Sequence, residues 1–418
     1  MPSSDDSLGS GFRALFIGSL VSNTGDGIRL AALPLLAAEL TSSPVLVSAV
    51  TAAQFLPWVS VAPLGGALVD RHDRRRMIVT TQLWRGLVMA VLAALVASDL
   101  IAIWHLCVVA FLITAGEILV DPCVVALVPE LVADEQLDVA NGRIASVEIV
   151  TNDFAGGPVG ATAFGFAPWL PFLVDAISYL GSVLAFRRLP TLPSSAARSS
   201  LLATERVESR SLRAEAADGL RYLRSHPVLW PVTTATMVFY VGAAVPLSLL
   251  VLLIRERSGG EPWSYGVLLA CGAVGAFLGT RMGSAVSKRF GTRTTLAAAT
   301  CLEGLALVAM AVPSSTVALA AIWFLGGVPA GVRIPVARSL QQRLTDNRFL
   351  GRVNVSTRMF TRGVIVIGAL VSGAIASVAS VPATFAIGGA IQILAAFLLA
   401  RALSDASSAT SLTAASGG

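Results

Sequence analysis

The chain has 418 residues, 55% of them hydrophobic and 13% charged, with a mean hydropathy of +0.76. Soluble domains carry about 25% charged residues, so the deficit excludes a cytosolic enzyme and a disordered protein and leaves a polytopic membrane protein. The net charge of +5 would suit a nucleic-acid partner, but the positions of the basic residues, given below, exclude that reading. Polar residues with Asp5 and Asp6 open the chain, and the first apolar run, Phe12 to Leu40, is too long for a signal-peptide core. Runs bounded by charge or turn residues predict twelve transmembrane helices at about 12–38, 45–69, 77–97, 101–127, 140–166, 170–186, 228–254, 264–286, 292–312, 316–337, 351–378 and 382–403. They read as helices because they are long and lack the alternation of a membrane barrel. The four cysteines, Cys107, Cys123, Cys271 and Cys301, all fall inside these runs and read as small buried hydrophobes.

With the N-terminus assigned to the cytoplasm, the inward segments collect 22 Arg or Lys, whereas the outward loops hold Arg255 and Arg257 beside Glu256 and Glu261. The positive-inside rule therefore puts both termini in the cytoplasm. The expected organisation is a cytoplasmic tail at 1–11, a six-helix bundle at 12–186, a cytoplasmic linker at 187–227, a second six-helix bundle at 228–403 and a disordered tail at 404–418. Within the linker, Leu212, Ala216, Leu220 and Leu223 share one face of an amphipathic helix that Ser211 is placed to cap.

The two halves repeat. Ala31-Ala32-Leu33-Pro34-Leu35 returns as Ala243-Ala244-Val245-Pro246-Leu247, Gly66-x-x-x-Asp70-Arg71 as Gly283-x-x-x-Ser287-Lys288, and Leu137-x-x-Ala140-Asn141 as Leu350-x-x-Val353-Asn354. The offsets are 212, 217 and 213 residues, in the same order. Duplicated six-helix halves are the construction of a rocking transporter.

The segment Gly65 to Arg76 resembles the signature G-x-x-x-D-R-x-x-R-R between helices 2 and 3 of the major facilitator superfamily, and the resemblance covers the whole chain. Leu137 to Ser146, Pro171 to Leu180 and Gly219 to Pro227 are similar to the bacterial drug- and siderophore-exporter branch, which contains macrolide efflux pumps and enterobactin exporters. The resemblance implies a gating motif of Gly66, Asp70, Arg71, Arg74 and Arg75. In it Asp70 latches the halves near a helix N-terminus, and the arginines pair with acids or lipid phosphates. In helix 5, Gly156, Gly157, Pro158 and Gly160 resemble the antiporter signature G-P-x-x-G-G, although Ala161 and Thr162 stand at its glycine positions.

Ionisable residues inside a bilayer cost about 2.5–3.5 kcal/mol each on insertion scales, so each calls for a reason. Asp26 and Arg29 lie three apart on one helical face, either as a mutually neutralising pair or as a substrate and proton site. Glu117 and Asp121 lie four apart on one face of helix 4, where like charges repel until one holds a proton. Glu148 and Asp153 point to divergent faces of helix 5, so one of them reaches a cavity. Arg333 sits between Pro329 and Pro335 in a Gly-rich stretch that predicts a broken helix 10. Family architecture lines the cavity with helices 1, 4, 7 and 10, which implies a site of Asp26, Arg29, Glu117, Asp121, Tyr240 and Arg333. Asp175 and Glu303 read as peripheral.

These features predict a proton-coupled antiporter of the bacterial plasma membrane that exports small amphipathic organic molecules as a monomer. The proton gradient is its energy source, it has no cofactor or metal, and its partners are the small molecule, protons and the lipid bilayer. The alternative is a proton symporter importing a small nutrient. An enzyme is not expected, since His72, His105 and His226 form no ligand cluster and no phosphate-binding loop occurs.

Overall fold

The computed structural model describes residues 8–62, 72–190, 220–258, 261–312, 315–346 and 350–415. Beside the short helices Pro57–Ser60 and Asp134–Gln136, its helices are α1 (Gly9–Leu40), α2 (Pro44–Phe55), α3 (Arg74–Ala97), α4 (Ile103–Leu131), α5, α6 (Leu170–Phe186), α7 (Leu229–Ser258), α8 (Pro262–Phe290), α9 (Thr292–Ala309), α10 (Thr316–Leu344), α11 (Leu350–Val378) and α12 (Val381–Ala415). Helix α5 is built of three consecutive stretches, Leu137–Glu148, Ile149–Gly156 and Gly157–Phe166, of which the middle one is π-helical. No strand occurs among the described residues, and seven of the helices there are long and apolar enough to cross a bilayer. The fold is that of an all-α membrane protein.

The chain divides into two compact units, 1–40 with 56–212 and 41–55 with 213–418. In the first unit α6 packs on α1 and α3, and α1 packs on the π-helical stretch of α5. Phe12, Leu15, Ile78, Cys123, Leu127 and Phe186 form one apolar core at an end of this unit. Asp73 caps α3 by accepting the Arg76 amide at 2.6 Å. Arg74 then reaches α4 and pairs with Glu130 at 2.7 Å, and Arg75 donates to the Arg187 carbonyl. Both arginines of the gating motif that fall in the described part thus bind within their own unit. Gly66, Asp70 and Arg71 lie outside the described residues.

In the second unit α2 packs on α11, and α8 lies along α10. The α8–α10 seam is made by small residues. A Cβ added at Gly279 would collide with the Val328 carbonyl, and one at Gly331 with that of Ala276. Small residues let helix backbones approach closely where lipid supplies no hydrophobic drive.

One expectation fails here. Helix 10 is unbroken through Pro329 and Pro335. Pro335 has no N–H for the Gly331 carbonyl four residues back, and the Thr280 hydroxyl of α8, which donates to the Ala276 carbonyl of its own helix at 2.9 Å, lies 3.3 Å from that oxygen. The last helix is described to Ala415, and its Ala- and Ser-rich continuation contains no proline and is rich in alanine, the best helix former. Of the amphipathic linker helix, 220–225 is described and is helical. His226 follows it and starts α7, its Nδ1 accepting from the Val228 and Leu229 amides at 3.2 and 3.1 Å. Partial burial lowers the pKa of this imidazole, which favours the neutral ring that such acceptance requires.

Candidate functional site

The middle of α1 reads Gly25-Asp26-Gly27-Ile28-Arg29, and the three-residue spacing turns both ionic side chains to one face. Arg29 Nη2 lies 2.9 Å from Asp26 Oδ1. The same oxygen accepts Arg85 Nη2 of α3 at 2.8 Å and the Tyr179 hydroxyl of α6 at 2.6 Å. Arg29 Nε turns the other way, 3.3 Å from Asp175 Oδ2. Arg85 is stacked over the Tyr179 ring at 4.3 Å, and its Nη1 donates to Gln82 Oε1 at 3.1 Å. Gln82 in turn donates to Ser182 at 3.3 Å. All of these side chains are buried. Two guanidiniums thus face two carboxylates in a dry setting, where the pairing offsets a desolvation cost of several kcal/mol, roughly, per ion.

The network is held by glycines. A Cβ at Gly25 would collide with Ser178 and the Asp175 carboxylate, and one at Gly116 of α4 would come within 2.9 Å of the Arg85 stem. On the other side of α1, Gly27 rests on the Thr151 carbonyl in the π-helical stretch, Gly156 rests on Gly27, and Gly160 on the Ile28 carbonyl. The glycines of the helix-5 motif therefore seat the backbone of α5 against the backbone that carries Asp26 and Arg29. A π-helical insertion at such a point is a common mark of a functional position. Gly27→Ala is expected to cost about 1–3 kcal/mol by overpacking. Gly142→Ala, which meets nothing within 4 Å, is expected to cost nothing measurable. Thermal unfolding of the two purified variants checks this.

Beside the network, α4 carries Glu117, half-buried, and Asp121, exposed. Glu117 lies within electrostatic reach of Arg85. Asp121 feels both Glu117 and Arg85. Glu148 is exposed on α5, and the side chain of Asp153 lies outside the described ones.

The remaining predicted residues belong to the second unit. There Arg333 of α10 holds Glu303 of α9 with Nε–Oε1 2.5 Å and Nη2–Oε2 3.3 Å. The Arg333 guanidinium stacks on Phe239 at 4.0 Å. Tyr240 and Arg333 line a cavity of about 600 Å³ formed by α7, α9, α10, α11 and α12. Of the predicted site residues, Asp26 and Arg29 with Glu117 and Asp121 nearby group in the first unit and Tyr240 and Arg333 group in the second, whereas Glu148 is exposed and Asp153 lies outside the described side chains. Asp175 and Glu303, read from the sequence as peripheral, are direct partners of Arg29 and Arg333. Arg85 and Tyr179 were missed altogether, although a lone arginine inside the apolar run 77–97 is the kind of intramembrane charge that marks a functional position.

A family profile described as "Transmembrane secretion effector" matches residues 9–415. The chain belongs to that family of the major facilitator superfamily. It is 28% identical over 174 residues to macrolide efflux protein A of Streptococcus pyogenes, a match covering 42% of each chain, so it spans less than half the length of that relative. It is 24% identical over 388 residues to the multidrug efflux pump Tap of Mycolicibacterium fortuitum, covering 89% of this chain and 90% of that one. Among solved structures, the nucleoside transporter NupG superposes with a TM-score of 0.76 at 11% identity, covering 94% of this chain and 99% of that one. A bacterial homologue of the iron transporter ferroportin superposes with 0.71 at 16% identity, covering 94% and 98%. At those identities the superpositions establish the fold alone. This member of the secretion-effector family is accordingly a multi-pass membrane protein with the major facilitator fold.

Proposed function

We propose that the protein is a proton-coupled antiporter that exports small amphipathic organic molecules across the bacterial plasma membrane by alternating access. It acts as a monomer with both termini cytoplasmic. The observation that carries this reading is the ionic network of α1, α3 and α6 with the acidic pair of α4 at its edge. Asp26 accepts three donors on one oxygen and serves as the constant anion. Arg85 binds that anion at 2.8 Å, and Glu117 lies within electrostatic reach of it. A proton on the Glu117–Asp121 pair relieves the repulsion between them and withdraws a counter-charge from Arg85. Loss of the proton restores it. Arg85 thereby has two electrostatic settings, which is the bistable element that coupling requires. The outward direction is supported by the efflux relatives and the orientation by the bias of basic residues.

Inverted membrane vesicles test the reading. When their lumen is preset acid, they are expected to take up ethidium or erythromycin, and the lumen to become alkaline as the compound enters. Uptake confined to right-side-out vesicles with acid outside would establish the importing symporter instead.

A further inference from the structure

Arg85 is held by more than its carboxylate. Gln82 stands three residues before it on the same face of α3 and is fully buried. The side-chain amide of Gln82 has an acceptor end and a donor end, and its surroundings decide which of them faces Arg85. Ser182 of α6 has a single hydroxyl proton, and that proton goes to the Tyr179 carbonyl at 2.7 Å. The Ser182 oxygen is therefore an acceptor toward α3. Gln82 Nε2 turns to it at 3.3 Å, which leaves Gln82 Oε1 to receive Arg85 Nη1 at 3.1 Å. Tyr179 closes the circuit. Its hydroxyl binds the same Asp26 oxygen as Arg85 Nη2, at 2.6 and 2.8 Å, and its ring lies under the guanidinium.

This circuit fixes the roll of the guanidinium. Nη2 is given to the anion and Nη1 to a neutral oxygen, while Nε is buried with no hydrogen-bond partner among the described residues. Nε is bonded to the Cδ atom that lies against Gly116 of α4, where an added Cβ would come within 2.9 Å, and Glu117 is the next residue of that helix. A carboxylate at position 82 would neutralise Arg85 within its own helix, whereas the amide secures it and leaves its charge to act on Asp26 and on the acids of α4. The charged and titratable groups around Arg85 are Asp26 and Arg29 of α1, Glu117 and Asp121 of α4, and Asp175 and Tyr179 of α6, with Glu148 of α5 acting on Asp121.

We infer that Gln82, set by Ser182, is a positioning residue of the transport cycle: it holds the Arg85 guanidinium through a neutral acceptor, in the orientation that binds Asp26 and leaves Nε beside α4. The link to proton coupling rests on the exporter reading. The circuit of hydrogen bonds does not.

Two measurements on the purified full chain test the inference. The first is the pH at which exchange of labelled for unlabelled ethidium in proteoliposomes, with equal pH on both sides, is half-maximal. Added negative charge holds a proton on a neighbouring acid to higher pH, so Gln82→Glu is expected to raise that midpoint by about one unit. Gln82→Leu and Ser182→Ala release Arg85 toward α4, where a nearer cation favours the ionised acid, and are expected to lower it by about as much. Ile78→Val, a packing change in the core on the same helix, is expected to lower the melting temperature and leave the midpoint in place. No shift in Gln82→Glu and Ser182→Ala, or shifts of one sign in both, overturns the inference. The second measurement is thermal unfolding. Gln82→Glu added to Asp26→Asn returns an anion to Arg85 and is expected to recover at least about half of the melting loss of Asp26→Asn, whereas Gln82→Leu added to it recovers nothing. Absence of recovery with glutamate overturns the inference as well. Exchange that ignores pH in the unaltered protein counts against the proton-coupled reading, and the melting series then decides on Gln82 by itself.

Discussion

Asp26→Asn is expected to lower the stability of the protein by about 3–5 kcal/mol, the usual effect of removing one partner from a buried ion pair. The reason is specific to the geometry of Oδ1. Arg29, Arg85 and Tyr179 all converge on that one oxygen, at 2.9, 2.8 and 2.6 Å. An asparagine oxygen still accepts hydrogen bonds, but it carries no charge, so two buried guanidiniums are left facing each other with Asp175 as the nearest compensating anion. Asp26→Glu keeps the charge and is expected to retain most of the stability. The double variant Asp26→Asn/Arg85→Gln restores the charge balance and is expected to be more stable than the sum of the two single changes, since residues in one network are strongly non-additive. Thermal unfolding of the detergent-purified chain, followed by tryptophan fluorescence, gives the four values. Unchanged melting of Asp26→Asn would mean that the anion is dispensable and that the network is not what holds α1, α3 and α6 together.

The parts of this architecture that were legible in the sequence are those governed by local chemistry. A bilayer demands about 20 consecutive apolar residues per span, so the helices and their order could be read directly. Helical periodicity alone put Asp26 and Arg29 on one face, with a mutually neutralising pair as one of its two readings. What was not legible depends on residues far apart in the chain. Arg85 and Tyr179 lie 59 and 153 positions from the carboxylate they bind, and no periodicity links them. Pro335 was misread for a related reason. A proline announces a lost hydrogen bond in its own helix, but the hydroxyl that comes within reach of the orphaned Gly331 carbonyl, that of Thr280, belongs to a neighbouring helix. The helix-5 glycines could be recognised as a motif, whereas their contact with the backbone of Gly27 and Ile28 needed the fold. Glu303 looked peripheral because its partner Arg333 is 30 residues away.

Glu117→Gln is expected to reduce gradient-driven efflux of ethidium by about 5- to 150-fold, the effect of a coupling free energy of about 1–3 kcal/mol between linked sites. Exchange of labelled for unlabelled ethidium without a proton gradient is expected to continue. Glutamine keeps the size and polarity of the side chain and fixes it in the uncharged condition, so Arg85 is held permanently in one of its two electrostatic settings. Movement of the cargo survives and its link to the proton does not. The pH dependence of the exchange carries the same signature: the unaltered protein responds to pH and Glu117→Gln does not, while Glu117→Asp, which retains an ionisable group, is expected to respond. Asp121→Asn separates the members of the pair. A mild effect there beside a severe one at Glu117 assigns the exchanging proton to Glu117, and the reverse assigns it to Asp121. If gradient-driven efflux persists in both variants, the exchanging group must lie deeper in the network. Asp26 is tied by three donors, whereas Asp175 has one guanidinium contact at 3.3 Å and one hydroxyl at 3.4 Å, so Asp175 is then the carboxylate to replace next.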